Sequence, residues 1–307
     1  MFTATWWGIG NNYGTLNIAG DTTRYVVNWG DGSSTAVRTD RDDDGDPLST
    51  TAYGHQYASD GTYDVAVVQS QAGLPPIRLK AFMYGRETDD ITINGTQLDD
   101  IIVAGSGNDT LTGARGRDTI AGNDGNDSIR GNDGDDFLLG GQGQDYIRGD
   151  DGADLIGGNE GDDRVLGGGG NDSLYGDEGA DEIRGGEGED YIGGGAGVDT
   201  LYGDAGGDIF MFAPVPGQAR DTDRDSIMDF ARGQDHIAIW DWTPDGAEVA
   251  FIGASAFSAS GTAEVRIQAT TNGSGTLVFG DMDGNGVFDF TIRVAGVATL
   301  DASDFYF

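Results

Sequence analysis

The chain contains no cysteine, which excludes disulfides, thiolate zinc sites and thiol nucleophiles. Its only histidines are His55 and His236, so a three-histidine zinc site is impossible, and no HExxH segment is present. Bases are scarce: 17 Lys and Arg stand against 53 Asp and Glu, a net charge of −36 over 307 residues. A basic face for nucleic acid or for an anionic membrane is thereby excluded. No apolar run approaches the roughly 20 residues that span a bilayer. Residues 1–8 lack the charged, apolar and cleavage regions of a secretory signal. A charge of one sign this large repels itself, so either cations neutralise it or the chain stays unfolded. With 13 Phe, 11 Tyr and 5 Trp, a wholly unfolded chain is the poorer reading, and cation binding the better one.

Glycine is abundant, at 55 residues, and it is periodic. Residues 104–211 divide into twelve nine-residue units without insertion or deletion, following the pattern G-G/N/D-x-G-x-D-x-U-x with U large and apolar, apart from Ala104 at place one and Ala114 at place two. The fourth place is glycine throughout, from Gly107 to Gly206, and the eighth is apolar throughout, from Leu111 to Phe210. The sixth place is always aspartate. A flexible linker does not hold an apolar residue in phase.

Glycines at places one and four permit positive φ, so the first six residues of each unit read as a tight turn. The last three read as a short strand with its central side chain inward. Two units make a coil of 18 residues, and twelve make about six coils, a parallel β-roll solenoid with a thin core. Aspartates of like turns then stack one coil apart. Each adjacent pair repels by roughly 1 kcal/mol in water and about 3–4 at an effective dielectric of 20. One apolar residue per unit contributes only about 1.5–3 kcal/mol, against backbone entropy of about 1–2 kcal/mol per residue. The expectation is a roll that does not fold alone. A hard cation taking six or more oxygens reverses the problem, and calcium suits a cage of protein oxygens better than magnesium.

These units resemble the hemolysin-type calcium-binding nonapeptides of RTX proteins. The resemblance implies one calcium between consecutive turns on the same edge, held by sixth-place aspartates and backbone carbonyls. The implied ligands are Asp109, Asp118, Asp127, Asp136, Asp145, Asp154, Asp163, Asp172, Asp181, Asp190, Asp199 and Asp208, pairing Asp109 with Asp127 and Asp118 with Asp136, for up to about ten Ca²⁺. Asp100 joins them from residues 95–103, which resemble a degenerate opening unit.

The flanks complete an all-β expectation: residues 1–85 a small sandwich, 86–103 a linker and capping repeat, 104–211 the roll, and 212–307 a β-rich cap. Asp225-Ser226-Ile227-Met228-Asp229-Phe230, with Gly233-Gln234-Asp235-His236-Ile237, resembles the domain that follows the roll in serralysin-type secreted proteases. The ending Asp304-Phe305-Tyr306-Phe307 resembles that family's uncleaved signal for type I export through an ABC transporter. Asp281, Asp283 and Asn285, around Gly284, read either as a calcium loop or as an Asp-Gly hairpin turn, since Ile292 stands where an EF-hand has its Glu. Trp29-Gly30-Asp31-Gly32, with His55-Gln56-Tyr57 and Gly61-Thr62-Tyr63-Asp64-Val65, resembles the immunoglobulin-like PKD domain. Asp40, Asp42 and Asp44 read as a solvated acidic loop or a further calcium loop.

Without a G-x-S-x-G elbow or a protease motif, the reading is a non-enzymatic, secreted or cell-surface calcium-binding protein. Its N-terminal domain would face a polysaccharide or protein ligand. The alternative is the C-terminal, non-catalytic portion of a larger secreted hydrolase or adhesin.

Overall fold

The computed structural model describes residues 88–213, 224–239, 249–258 and 261–307, and, further upstream, the backbone of seven strands. Asp40, Asp42 and Asp44 lie outside the described residues. The chain forms two compact units, Met1–Gln142 and Gly143–Phe307. Among the described residues all regular elements are strands apart from one short 3-10 turn. No helix among the described residues is long and apolar enough to cross a membrane.

In the first unit, Thr3–Trp6, Tyr13–Ala19 and Thr51–Gln56 form one antiparallel sheet. Ser34–Arg38, Arg24–Asn28, Gly61–Gln69 and Ile77–Met83 form a second, also antiparallel. The last of these changes the pattern. It pairs in parallel with Asp100–Val103, setting Lys80 opposite Asp100 and Met83 opposite Val103. From there strands stack in parallel on two faces. Thr92–Asn94, Thr110–Arg115 and Ser128–Asp133 make one face, and Asp100–Val103, Thr119–Asp124 and Phe137–Gln142 the other.

The second unit repeats the scheme. Tyr146–Asp151, Arg164–Gly169, Glu182–Glu187, Thr200–Ala205 and Arg224–Ile227 stack on one face. Leu155–Glu160, Ser173–Glu178, Tyr191–Ala196, Ile209–Phe212 and His236–Ile239 stack on the other. The antiparallel strands Glu264–Ala269, Gly275–Asp281 and Phe290–Ala295 then join the first face through Phe290–Ala295. The chain ends as Phe305–Tyr306 beside His236–Ile239 on the second.

The 18-residue coil holds throughout the repeats: Thr110 lies opposite Ser128 and Tyr146 opposite Arg164. Strands outside the nonapeptide array extend the roll in each unit, at residues 92–103 in the first and 224–239 in the second. Two local expectations differ. Strands run six residues, through place three of the next unit, where the reading allowed three. Positive φ falls at places two and four, as at Asn123 (76°) and Gly125 (126°), and place one is absent from that set. This explains why place two is usually Asn, Asp or Gly, the residues that tolerate left-handed backbone.

The core is one side chain wide. Every eighth-place residue from Leu111 to Phe210 is buried, at 0–1 % exposure, and within each unit these residues lie opposite one another in successive coils, as Leu174 lies opposite Ile192. Such burial contributes about 1.5–3 kcal/mol per residue. The end of the chain is pinned. Asp301 and Asp304 form a capping box, Arg232 bonds both (Nη2 to Asp301 2.6 Å, Nε to Asp304 3.2 Å), and Phe305 is buried.

Candidate calcium sites

Each coil has two turns, and each turn ends in a sixth-place aspartate. All thirteen, from Asp100 to Asp208, are at most 3 % exposed. Their backbone and side chains form ladders along the axis. The N–H of Asp109 donates to Oδ1 of Asp127 (2.7 Å), that of Asp118 to Asp136 (2.7 Å), that of Asp154 to Asp172 (2.8 Å) and that of Asp172 to Asp190 (2.8 Å). The pairs that the sequence placed one coil apart are therefore in direct contact.

Oδ1 is thus engaged, and Oδ2 is the unusual atom. In Asp118, Asp163, Asp172, Asp181, Asp190 and Asp208 it is buried and has no hydrogen-bond partner. A buried polar atom left this way costs about 1–3 kcal/mol, and more when charged. Nothing in the backbone relieves it. Oδ2 of Asp181 lies against the place-one Gly176, with the carbonyl of Gly194, one coil on, at the same point. A Cβ at Gly176 would overlap both oxygens. Place one is therefore glycine for close approach, and its φ is ordinary. Place four is glycine for two reasons. Gly179 has φ +139°, and a Cβ there would strike the carbonyl of Gly161.

Burial, reinforced by neighbouring carboxylates and opposed by the N–H bond to Oδ1, pushes Asp118, Asp163, Asp172, Asp181 and Asp208 up to about 7. Burial also raises Asp109 and Asp190. Several arginines of the roll pair with other carboxylates: Arg115 with Asp133, Arg148 with Asp150, Arg164 with Glu182, and Arg184 with Glu182 and Asp204. Asp172 instead has Asp154 and Asp190 as its charged neighbours. An orphaned carboxylate oxygen beside a backbone carbonyl, repeated along an axis, is a hard-oxygen donor set. It fits calcium, which takes six to eight such oxygens in flexible geometry.

Several participants lie outside the regular spacing. Asp225 accepts from the N–H of Asp199 (3.0 Å) and Asp235 from that of Asp208 (3.1 Å), at separations of 26 and 27 residues. They continue both ladders. In the 281–289 loop, carboxylate oxygens of Asp281, Asp283 and Asp289 lie within 4.8 Å of one another. Asp281 is fully buried and accepts from the N–H groups of Asn285 (3.1 Å) and Gly286 (2.7 Å). Asn285 is turned to other partners, Nδ2 donating to Asp283 and Oδ1 accepting from Val287. The third acid of the cluster is Asp289, three residues before the Ile292 at which the sequence reading looked for a closing acid. Asp289 is nine residues into the loop, so counting acidic residues there would have found it. His236 stacks on Tyr306, ring centroids 4.2 Å apart.

Comparison with known proteins places this geometry. The family model for the RTX calcium-binding nonapeptide repeat matches four times, at residues 94–129, 121–156, 157–192 and 175–210. No curated protein matches the chain. Among solved structures, the AlgE6R3 subunit of the Azotobacter vinelandii mannuronan C5-epimerase is similar at 29 % identity, over 49 % of this chain and 80 % of that one, with a TM-score of 0.38. The extracellular lipase LipA from Serratia marcescens is similar at 17 % identity, over 71 % of this chain, with a TM-score of 0.30. The match spans 40 % of the lipase chain. The chain carries RTX calcium-binding nonapeptide repeats, folded as a parallel β-roll.

Proposed function

We propose that this is a secreted calcium-binding protein whose roll folds when it meets extracellular calcium. The observation that carries the reading is the run of buried Oδ2 atoms without partners in Asp118, Asp163, Asp172, Asp181, Asp190 and Asp208. The ligands are the sixth-place aspartates from Asp109 to Asp208, with Asp100 at the opening end, assisted by place-one carbonyls such as that of Gly194. Bound calcium supplies the positive charge that the columns lack, and its binding free energy becomes folding free energy. Extracellular calcium modules bind at about 10⁻⁴–10⁻³ M, so the roll is unfolded in a calcium-poor cytosol and folded outside. The same reading takes in the loop of Asp281, Asp283 and Asp289 as a further, non-repetitive calcium site.

Export follows the type I route in this proposal, with the C-terminal Asp304-Phe305-Tyr306-Phe307 read by an ABC exporter. The N-terminal sheets act as a PKD-like module that meets a polysaccharide or protein partner. The roll itself has no catalytic role. Equilibrium dialysis of the full chain counts the ions: several calcium per molecule supports the reading, and none refutes it. Deleting residues 304–307 abolishes export if the terminal signal is real, whereas unchanged export removes the transporter from the account.

A further inference from the structure

The strands that follow the array carry arginine on a sheet face where acids would be expected. Arg224–Ile227 pairs with Phe290–Ala295, that strand with Gly275–Asp281, and that one with Glu264–Ala269. Their register sets Arg224, Thr291, Phe279 and Arg266 in one row, and Ser226, Arg293, Leu277 and Gln268 in the next. Residues two apart share a face of a sheet, and the buried Ile227, Val294 and Val278 occupy the opposite one. Neither row contains a carboxylate. The nearest acids along these strands, Glu264 and Asp281, lie opposite each other and are already engaged. Glu264 accepts from the N–H of Ser258 (2.6 Å), and Asp281 from those of Asn285 (3.1 Å) and Gly286 (2.7 Å).

Further along the same sheet, Arg148, Arg164 and Arg184 are each paired with a carboxylate. Among the described residues no ion pair joins Arg224, Arg266 or Arg293 to an acid. Arg266 is the most constrained of the three. Its Cζ lies 4.5 Å from the ring centroid of Phe279 and 5.0 Å from that of Phe257. Such rings attract the cation but leave the in-plane N–H groups without an acceptor. Nε is buried and has no hydrogen-bond partner, although the side chain as a whole keeps some exposure. A donor held this way is costly, and it occurs in a chain with 53 acidic residues. Arg266 and Gln268 also line a cleft of about 420 Å³ with Ala254, Ala298 and Thr299, and no acidic residue lines it.

We propose that Arg266 receives the carboxylate of a small ligand bound in this cleft, with Gln268 as the neighbouring hydrogen-bonding group. A guanidinium is a planar fork that matches a carboxylate with two parallel N–H bonds, and the rings of Phe257 and Phe279 hold that fork in place. The cleft falls within the range of small-molecule sites, about 300–1,000 Å³. The net charge of −36 opposes an anion at a distance, but exposed charges are screened beyond about 8 Å at physiological salt. What the ligand meets at close range is a face whose charges are arginines. The site draws nothing from the aspartate ladders and stands whether or not they hold calcium.

The test is nuclear magnetic resonance of the full chain in saturating calcium, following the Nε–H signal of Arg266, assigned through its own side-chain carbons. Acetate, glucuronate, glucose and sulfate are titrated separately at constant ionic strength. The expected result is a saturating shift with acetate and glucuronate and none with glucose. Tighter binding of glucuronate than of acetate assigns a sugar acid as the source of the carboxylate, and equal binding assigns the carboxylate alone. Arg266→Lys keeps the charge and loses the fork, and weakens binding about tenfold or more, whereas Arg293→Lys stays near wild type. If Arg266→Lys does not reach the wild-type β signal, the wild-type titrations decide alone. A signal that fails to shift, that shifts without saturating, or that responds to sulfate as strongly as to acetate overturns the proposal, as does wild-type binding in a folded Arg266→Lys.

Discussion

Replacing Asp172 by Asn is expected to have opposite effects in the absence and presence of calcium. Asp172 is fully buried, with Oδ1 bonded to the N–H of Asp154 and Oδ2 without a partner. Asn retains the first contact and removes the charge. Burial pushes this carboxyl up to about 7, so holding it ionised in the metal-free fold at pH 8 costs about 4 kcal/mol. Part of that cost is repulsion from Asp154 and Asp190, about 1–3 kcal/mol each at a spacing of ~4.8 Å. In EDTA the variant is therefore more stable than wild type by roughly 2–4 kcal/mol. In calcium the two ion positions that Asp172 borders each lose a carboxylate. A tenfold loss of affinity at both destabilises the loaded roll by about 3 kcal/mol. Circular dichroism near pH 8 reads both values: in EDTA, where the roll is unfolded, as a lower sucrose concentration needed to restore the β signal in the variant, and at saturating calcium as a lower urea midpoint. Shifts of the same sign in the two conditions would refute the electrostatic argument.

Three further outcomes follow from the same geometry. Asp118, Asp163, Asp172, Asp181 and Asp208 titrate near 7 in the folded metal-free chain and near 3.9 when unfolded. The folded state then holds more protons between those values, so metal-free stability is greatest near pH 4 and falls as the pH rises through about 7; a dichroism-monitored pH series in EDTA checks the direction. Gly179→Ala, at φ +139° against a carbonyl, destabilises the loaded roll by more than about 3 kcal/mol, whereas Gly176→Ala, which meets both a carbonyl and Oδ2 of Asp181, adds the loss of an ion position to a folding defect. Calorimetry of the two variants separates a folding defect from a binding defect. Leu174→Ala, at 0 % exposure, destabilises the loaded roll by about 2–5 kcal/mol and raises the calcium midpoint, as a titration will show.

What the sequence disclosed and what it hid divide along the period. The 18-residue coil, the inward Leu and Ile column and the pairing of Asp109 with Asp127 are each set by a local nine-residue phase, and the structure repeats that phase as contacts. The role of place one was not legible, because a glycine required by a neighbour 18 residues away looks the same as one required by its own φ. Asp225 and Asp235 were hidden because their spacing from the array, 26 and 27 residues, breaks the period. Asp289 was passed over because an EF-hand template places its closing acid at Ile292. In each case the missing information was three-dimensional proximity without periodicity.

The central claim is that calcium causes the roll to fold. The most direct measurement is far-UV circular dichroism of the EDTA-treated full chain during a calcium titration, with magnesium as control. The account predicts a cooperative gain of β signal near 10⁻⁴–10⁻³ M calcium and none with magnesium at the same concentrations. A chain already showing its full β signal in EDTA at neutral pH would contradict it, and would mean that the one-residue-wide core and the flanking strands hold the roll unaided.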